Sequence, residues 1–334
     1  MTVKVGINGF GRIGRMALRS IIENKRKDLE VVAINNRSNS KISSFLLEHD
    51  SIHGKLKAKV SHTEKTIEIN GKKISMIHET EISKIEWKKH NVNVVLECTG
   101  KFNNKEKSAK HITSGAKKVL VSAPCKGATN IVFGVNQKTL KSNDKIISAA
   151  SCTTNCLAPV AKVINDSFGI ERGFMTTIHS YTTDQRLLDN SHKDLRRARS
   201  APNSMIPTTT GATKSLGDVI PNLKGKIEGI SIRVPTPNVS LVEFVFSSKK
   251  NLSVEEINKS FLKASKSELK NILDTSSEQL VSSDFNHNPH SSIVDLSLTK
   301  VADSKMAKVS AWYDNEWGFA NRMCDLAVYL GNLK

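Results

Sequence analysis

The sequence predicts two domains, an α/β domain built on a parallel sheet and an α+β domain built on a mostly antiparallel sheet. In the first half of the 334-residue chain, short apolar segments alternate with segments of helical periodicity, as in parallel sheets that helices cover on both faces. After Ser151 the candidate strands become longer and alternate apolar with polar residues, which is typical of antiparallel sheets. The chain length also suits two domains of about 150 residues each.

The first domain is expected to span residues 1–150. Residues 3–7 predict a strand that a glycine-rich turn follows, and apolar residues then recur at helical spacing. Further strands are predicted at 31–34, 92–97, 118–122 and 145–148, with a helix at 105–115. This alternation predicts a doubly wound sheet.

The second domain is expected to span residues 151–315. Strands are predicted at 174–180, 227–234, 239–246 and 308–312, and helices at 254–263 and 317–330. Residues 181–223, rich in Thr, Ser, Arg and Pro, form a segment too long for a passive connection, which predicts a functional loop.

Composition excludes several classes of protein. No apolar run approaches the roughly 20 residues that span a bilayer, and the first apolar segment is too short for a signal peptide, so we expect a soluble cytoplasmic protein without a membrane partner. The five cysteines are odd in number and irregular in spacing, which predicts reduced thiols and no metal site.

The net charge of +18 raises the alternative of a nucleic-acid partner, because basic surfaces bind phosphate backbones. Most of the excess is scattered Lys, without a long basic run or interleaved aromatic residues. Nucleic-acid binding is therefore not expected as the main role, whereas anionic substrates are favoured.

The turn after the first strand carries a dinucleotide-binding pattern. Gly9, Gly11 and Gly14 give G-x-G-x-x-G between a strand and a helix, where a pyrophosphate can meet bare backbone amides. This context predicts a Rossmann-type domain that binds a dinucleotide.

The end of the second strand bears on cofactor choice. An acidic residue there would hold a free ribose 2′-hydroxyl, but the chain has Asn36 followed by Arg37 and Ser38. Asn is neutral, and Arg with Ser can bind phosphate oxygens, so the pattern favours tolerance of NADP. The alternative is an exposed turn with an incidental Arg.

Two residues carry the predicted chemistry. Cys152 opens a helix after a strand, and a helix N-terminus favours the thiolate; Cys156, one turn later, is expected to be a buried small residue. The hydroxyls of Ser151 and Thr153 suit phosphate rather than a core. His179 ends an apolar strand, where it suits pairing with a thiol.

Motifs along the whole chain resemble the phosphorylating glyceraldehyde-3-phosphate dehydrogenases. Residues 151–159 (Ser-Cys-Thr-Thr-Asn-Cys-Leu-Ala-Pro) are similar to the active-site signature of that family. Similar to it as well are residues 6–15, 49–54, 194–199, 233–236 and 312–316. The resemblance implies a homotetramer in which the C-terminal helix, 316–334, completes the cofactor domain.

The resemblance also implies a role for each matching position. Cys152 would attack the aldehyde of glyceraldehyde 3-phosphate, His179 would move the proton, and inorganic phosphate would release the product. Thr182 and Arg233 would bind the phosphate of the substrate. The attacking phosphate would lie on Ser151, Thr153, Arg197, Thr210 and the amide of Gly211. The cofactor would contact Asn8, Gly9, Gly11, Arg12, Ile13, Gly14, Thr99, Ser122 and Asn315.

The chain departs from the NAD-specific pattern of that family in two places. Asn36 stands where Asp is expected, and Asn190 with Ser191 resembles the Ala-Ser form of a loop in photosynthetic, NADP-using members. In that family this loop reaches the cofactor of a neighbouring subunit. Both departures concern the adenosine ribose, which implies use of NAD and NADP.

Two rival functions remain open at this point. A sister enzyme that oxidises erythrose 4-phosphate without phosphate attack would share nearly all these motifs. A basic RNA-binding or adhesion protein would need neither Cys152 nor His179, so the presence of both residues counts against it as the primary role.

Overall fold

The chain divides into two structural units, and the computed structural model describes residues 1–333. The first unit comprises residues 1–133, 137–150 and 320 onward, and the second comprises 134–136 and 151–319. The sequence predicts borders after residue 150 and at residue 316, whereas the units change after residue 150 and at residue 320.

The first unit is built on a nine-stranded sheet. Its strands are β1 (Val3–Asn8), β2 (Leu29–Asn35), β5 (Val60–His62), β6 (Thr66–Ile69), β7 (Lys72–Ile77), β8 (Val94–Glu97), β9 (Lys118–Val121), β10 (Thr129–Asn130) and β11 (Ile146–Ser148). A separate two-stranded hairpin joins β3 (His49–Asp50) to β4 (Gly54–Lys55). The helices are α1 (Arg12–Glu23), α2 (Ser40–Glu48), α3 (Lys105–Ser108) and α4 (Lys110–Thr113).

Parallel pairing dominates this sheet. The strand order is β10-β11-β9-β8-β1-β2-β7-β6-β5, and only the β7-β6 and β6-β5 pairs are antiparallel. The central strands are almost continuously buried, as expected for parallel strands with both faces covered. Their carboxyl ends therefore meet along one edge, which is where ligands bind in such sheets.

The second unit is built on an eight-stranded sheet. Its strands are β12 (Ile170–Ser180), β13 (Ile206–Thr209), β14 (Ile227–Val234), β15 (Ser240–Ser248), β16 (Leu273–Ser276), β17 (Ser292–Asp295), β18 (Lys300–Ala302) and β19 (Met306–Tyr313). The helices of this unit are α5 (Cys152–Phe168), α6 (Ala212–Val219) and α7 (Val254–Lys266).

Antiparallel pairing dominates the second sheet. The order is β13-β14-β12-β15-β19-β17-β16, with β18 on β19, and only β12-β14 and β16-β17 are parallel. The predicted fold class, a Rossmann-type domain followed by an α+β domain with a mostly antiparallel sheet, is confirmed.

Local sequence explains where the functional helix α5 begins and ends. The side chain of Ser151 accepts a hydrogen bond from the amide of Thr154 at 3.0 Å, which is the N-cap arrangement. Gly169 ends the helix with a φ of +76°, a conformation that glycine adopts without strain. Cys152 is therefore the first helical residue.

The last helix, α8 (Trp317–Asn332), contacts the first unit. Ser20 donates to the Oδ1 of Asn321 at 2.8 Å, and Arg26 pairs with Asp325 at 2.6 Å. Both contacts lie within the first unit, to which the helix belongs from residue 320 onward.

The structure differs from the sequence prediction in several segments, and α2, β16, β17 and β18 had no predicted counterpart. The helix predicted at 105–115 forms as α3 and α4. Strands β5 to β7 had no predicted counterpart. The segment 181–223 contains β13 and α6, where no regular element was predicted. None of the helices within residues 1–333 is long and apolar enough to cross a membrane.

Candidate active site

The turn between β1 and α1 has room for a ligand on one side only. Gly9 has a φ of +92°, and a Cβ there would lie 2.7 Å from the amide nitrogen of Thr99. A Cβ on Gly14 would lie 2.2 Å from the carbonyl oxygen of Gly9, whereas a Cβ on Gly11 would meet nothing within 4 Å. Gly9 and Gly14 therefore allow close packing within the unit, and Gly11 leaves open the face that a pyrophosphate would approach.

A cavity of about 250 Å³ adjoins this turn. It is lined by Asn8, Gly9, Phe10, Gly11, Asn35, Asn36, Arg37, Glu79, Thr80, Ile82, Ile85, Cys98, Thr99, Lys101 and Phe102. The structure therefore brings together six of the predicted cofactor residues, namely Asn8, Gly9, Gly11, Asn36, Arg37 and Thr99. The apolar and amide side chains and the open glycine turn fit a dinucleotide.

Four other predicted cofactor residues of this unit do not line the cavity: Arg12, Ile13, Gly14 and Ser122. The guanidinium of Arg12 contacts the buried carboxylate of Asp50. Burial opposes ionisation of Asp50, but the hydrogen bonds from Arg12 and from the amides of His53 and Ile52 prevail. These hydrogen bonds hold the pKa of Asp50 well below its usual range.

The cavity lining that includes Asn36 and Arg37 carries both positive and negative side chains. Asn36 donates from Nδ2 to the hydroxyl of Ser43 at 3.0 Å. Arg37 is exposed, and within the described residues it makes no ion pair. Lys101 adds a second cation to the lining and Glu79 adds a carboxylate.

The second unit brings Cys152 and His179 together. The Sγ of Cys152 lies 3.5 Å from the Nε2 of His179. The Nδ1 of His179 lies 2.6 Å from the carbonyl oxygen of Ser180, and a carbonyl only accepts hydrogen bonds. The carbonyl favours a proton on Nδ1, whereas the guanidinium of Arg233 nearby favours a bare Nδ1. The tautomer with its proton on Nδ1 leaves Nε2 free to accept the thiol proton.

Burial favours the neutral forms of both groups. It raises the pKa of Cys152, although the charge of Arg233 and the backbone amide of Thr153 act in the opposite direction. Burial also lowers the pKa of His179 to about 3, and Arg233 adds to this shift. Burial thus opposes the thiolate that the helix N-terminus favours, and Nε2 of His179 is the nearby nitrogen that could take the proton.

Strand register places Arg233 beside this pair. β12 and β14 are parallel, and His179 and Arg233 are partners in that register. The Nη1 of Arg233 lies 2.9 Å from the Nδ1 of His179 and donates to the carbonyl oxygen of Ser180 at 3.0 Å. Arg233 thus contacts His179, and its charge lowers the pKa of Cys152 against the larger effect of burial.

The side chain of Thr153 lies in the core, whereas the sequence predicts that its hydroxyl binds phosphate. Its side chain is buried, and its hydroxyl lies 2.9 Å from the hydroxyl of Tyr313. Tyr313 also contacts Thr177 at 2.8 Å, and its ring packs edge-on against His179. Cys156 is fully buried, as predicted.

The other predicted anion-binding residues lie on two neighbouring segments of the second unit. The guanidinium of Arg197 contacts Asp184, the hydroxyl of Thr208 at 2.8 Å and the carbonyl oxygen of Thr209 at 3.0 Å. Because β13 pairs with β14, these contacts hold Arg197 near the strand that carries Arg233. The charge of Arg197 also lowers the pKa of His179, after burial and Arg233.

Three smaller predicted residues complete this region. Thr210 and Gly211 immediately precede α6, and a Cβ on Gly211 would meet nothing within 4 Å. The hydroxyl of Thr182 donates to the side-chain oxygen of Gln185 at 3.2 Å.

The amide of Asn315 is oriented by two hydroxyls. Ser180 and Ser240 donate to its Oδ1 at 2.8 and 2.9 Å. Its Nδ2 therefore faces away from them, and it donates to no residue within 1–333. Such an amide suits a carboxamide oxygen of a ligand. Asn190 and Ser191 lie in an exposed loop, where Arg186 donates to the carbonyl oxygen of Ser191.

Sequence reasoning missed several supporting residues. No role was predicted for Tyr313, Ser180 or Asp184. Tyr313 does lie within residues 312–316, one of the motifs on which the family resemblance rests. Ala150 has a φ of +56° directly before the helix of Cys152, a conformation that is uncommon for a residue with a Cβ. No sequence pattern predicts these features, because each depends on contacts between distant segments.

Comparison with known proteins gives one family throughout. Residues 3–105 match the model described as "Glyceraldehyde 3-phosphate dehydrogenase, NAD binding domain", and residues 151–315 match its C-terminal domain. The chain is 52% identical over 334 residues to a glyceraldehyde-3-phosphate dehydrogenase of Cereibacter sphaeroides, with all of both chains covered. It is 51% identical over 334 residues to that of Geobacillus stearothermophilus, with 99% of each chain covered.

The match to the NAD-binding model falls on the unit with the glycine turn, and the C-terminal model falls on the unit that pairs Cys152 with His179. Family models and relatives of full length thus agree with the geometry of both units. The chain is an NAD-dependent oxidoreductase that belongs to the glyceraldehyde-3-phosphate dehydrogenase family.

Proposed function

We propose that this enzyme converts D-glyceraldehyde 3-phosphate, inorganic phosphate and NAD into 1,3-bisphosphoglycerate and NADH, reversibly, as a step of glycolysis and gluconeogenesis. The observation that carries the proposal is the 3.5 Å approach of the Cys152 sulfur to the Nε2 of His179. A thiol beside an unprotonated imidazole nitrogen is the arrangement of an activated nucleophile.

In the first step Cys152 attacks the aldehyde carbon. The thiol proton passes to the Nε2 of His179 as the carbon–sulfur bond forms, and His179 then returns this proton to the carbonyl oxygen. The product is a thiohemiacetal on Cys152. This transfer requires the tautomer of His179 with its proton on Nδ1, which would donate to the carbonyl oxygen of Ser180.

In the second step His179 accepts the hydroxyl proton of the thiohemiacetal. Bound NAD would supply the acceptor for the hydride of the same carbon, so that the carbon would be oxidised and Cys152 would carry a thioester. Asn315 would hold the carboxamide of the cofactor, because Ser180 and Ser240 turn its Nδ2 away from the protein.

In the third step inorganic phosphate attacks the thioester carbon. The carbon–sulfur bond breaks, Cys152 leaves as a thiolate, and the acyl group leaves as an acyl phosphate. The thiolate regains its proton from His179, which returns the pair to its starting state.

Two anion sites would serve the two phosphates. We place the phosphate of the substrate on Thr182 and Arg233, and the attacking phosphate on Ser151, Thr153, Arg197, Thr210 and Gly211. Thr153 would bind the phosphate through its backbone amide, because its hydroxyl is buried against Tyr313. Bound phosphate would offset the charges of Arg233 and Arg197, which lower the pKa of His179, so substrate binding would strengthen His179 as a base.

The test is the rate of NADH formation with glyceraldehyde 3-phosphate as inorganic phosphate is varied. We expect sustained turnover only with phosphate. Equal rates without phosphate, or turnover of erythrose 4-phosphate alone, would favour the sister enzyme.

We further propose that the enzyme accepts NADP as well as NAD. Support comes from the neutral side chain of Asn36 and from Arg37, which is exposed and makes no ion pair within residues 1–333. Lys101 lines the same cavity. A 2′-phosphate would thus meet two cations, and Glu79 is the one carboxylate in the lining.

Initial rates with NAD and NADP at equal concentration test this proposal. Asn36→Asp should raise the KM for NADP by roughly tenfold or more, because a carboxylate would then face the 2′-phosphate, with a much smaller effect on NAD. Asn70→Asp, in an exposed turn of the same unit, is a charge-matched control. Absence of turnover with millimolar NADP in the unmodified enzyme would show that Arg37 is only a solvated turn residue.

We also propose a cytoplasmic homotetramer. The loop that carries Asn190 and Ser191 exposes large apolar side chains, namely those of Leu187, Leu188, Leu195 and Met205, and such patches are typical of subunit contacts. Sedimentation velocity should give the mass of four chains, and a monomer would contradict the role of this loop at the cofactor of a neighbour.

A further inference from the structure

A buried chain of hydrogen bonds runs beneath the cofactor cavity of the first unit. It joins Trp87, His111 and Glu97, each 1% exposed or less. Glu97 is the last residue of β8, so its carboxylate lies at the carboxyl edge of the parallel sheet. Neither Trp87, His111 nor Glu97 belongs to the residues assigned above to binding or catalysis.

Hydrogen-bond chemistry sets the direction of this chain. The Nε1 of Trp87 lies 2.9 Å from the Nδ1 of His111, and an indole nitrogen only donates. Nδ1 of His111 is therefore the acceptor, and the proton of the neutral imidazole lies on Nε2. Nε2 donates to the Oε2 of Glu97 at 2.9 Å.

The carboxylate of Glu97 also binds two residues that line the cavity. Its Oε2 accepts from the Nδ2 of Asn8 at 2.6 Å. Its Oε1 accepts from the amide of Thr99 at 2.8 Å and from the hydroxyl of Thr99 at 2.5 Å. Within residues 1–333 no Lys or Arg pairs with Glu97. A buried carboxylate without a cation depends on such donors, so its position fixes theirs.

The turn that would receive the pyrophosphate rests on this assembly. A Cβ on Gly9 would lie 2.7 Å from the amide nitrogen of Thr99, which shows that the backbone of Gly9 packs directly on Thr99. Asn8 precedes Gly9, and its Oδ1 accepts from Asn35 at 2.8 Å. A shift of Glu97 would therefore move Asn8 and Thr99, and with them the turn.

We propose that His111, backed by Trp87, is a positioning residue for cofactor binding. It orients Glu97, which in turn holds Asn8 and Thr99 in the geometry that binds the dinucleotide. The inference rests on the proposed binding of NAD in this cavity. His111 contacts no reacting atom, so it should affect the affinity for NAD and not the chemical step.

A matched pair of substitutions separates this role from mere packing. The amide nitrogen of Gln reaches about as far as the Nε2 of His, so His111→Gln keeps a donor for Glu97. Asn reaches only as far as Nδ1, so His111→Asn contacts Trp87 but leaves Glu97 without this donor. The readouts are the Kd for NAD by calorimetry, the kcat at saturating NAD, and the melting temperature without NAD.

We expect His111→Asn to raise the Kd for NAD by tenfold or more, the loss expected for one hydrogen bond to a buried charge. The kcat at saturating NAD should stay within threefold of wild type. His111→Gln should restore a Kd within threefold of wild type. Ser20→Ala, which removes a buried hydrogen bond to Asn321 in the same unit, is the control and should leave the Kd unchanged.

Equal Kd values for the folded Asn and Gln variants would overturn the proposal, as would a loss of kcat without a change in Kd. If His111→Asn does not fold, Trp87→Phe replaces it, because loss of the indole donor releases the tautomer of His111. An unchanged Kd in Trp87→Phe then overturns the proposal. Failure of the wild-type protein to bind NAD would instead refute the proposed function on which the inference rests.

Discussion

In the proposed mechanism the reactivity of Cys152 depends on His179 as well as on the position of Cys152 in the helix. Burial raises the pKa of its thiol despite the nearby amide of Thr153 and the charge of Arg233. The acceptor that can take its proton is the Nε2 of His179, 3.5 Å away. The carbonyl oxygen of Ser180 lies 2.6 Å from Nδ1, on the far side of the ring. The proposed nucleophile, its base and the group that contacts the base thus come from α5 and β12.

His179→Asn should lower kcat by roughly 10² to 10⁴, the range for loss of a positioned acid or base. Alkylation of Cys152 by iodoacetamide at pH 7 should slow as well, because the thiol loses its proton acceptor. The measurements are steady-state rates and the alkylation time course, with intact melting temperature as the control. Wild-type values for both rates would remove His179 from the mechanism.

The sequence could predict that Cys152 begins a helix and that His179 lies near the end of a strand, but not how their neighbours hold them. The chain position of Cys152, directly after a strand, predicts a helix N-terminus, and it lies there. The orientation of Asn315 depends on Ser180 and Ser240, which are distant in sequence. The burial of Thr153 depends on Tyr313. Such contacts follow from strand register, which periodicity does not give.

In the turn between β1 and α1, the three glycines of the G-x-G-x-x-G motif have three different structural environments. Gly9 needs a positive φ and close contact with Thr99, Gly14 needs space against the carbonyl of Gly9, and Gly11 is open in the structure. Only Gly11 therefore leaves a space that a ligand would fill.

Gly11→Ala and Gly14→Ala should consequently fail in different ways. Gly14→Ala should lower the melting temperature without NAD, because its Cβ meets backbone at 2.2 Å. Gly11→Ala should keep that temperature and raise the Kd for NAD by tenfold or more, because its Cβ intrudes where the pyrophosphate lies. Thermal melting and calorimetry check both expectations. A stable Gly14→Ala variant with unchanged affinity would contradict this division of roles.

Some strands that were not predicted have clear sequence patterns, and others have none. In β6 and β7 apolar residues alternate on either side of Asn70 and Gly71, both of which have positive φ, and Asn-Gly between alternating residues is a strong hairpin signal. Those strands were therefore predictable. Strand β13, within the loop, is only four residues long and depends on its pairing with β14, which no local pattern indicates.

For the whole molecule, the two sheets provide two kinds of site. The parallel sheet collects backbone amides and amide side chains at its carboxyl edge, where a dinucleotide binds. The mostly antiparallel sheet carries His179 and Arg233 on adjacent strands in register. The net charge of +18 would favour encounter with anionic substrates at low salt. The central claim is that Cys152 carries the acyl group between oxidation and phosphate attack.

The most direct test is a single turnover with NAD and glyceraldehyde 3-phosphate in the absence of inorganic phosphate. We predict a burst of one NADH per active subunit, an added acyl group on the peptide that contains Cys152, and release of that group when phosphate is added. Cys152→Ser, which lacks the thiol, should bind NAD but give no burst. Wild-type enzyme that shows steady turnover without phosphate, or whose Cys152 peptide remains unmodified after the burst, would contradict the account.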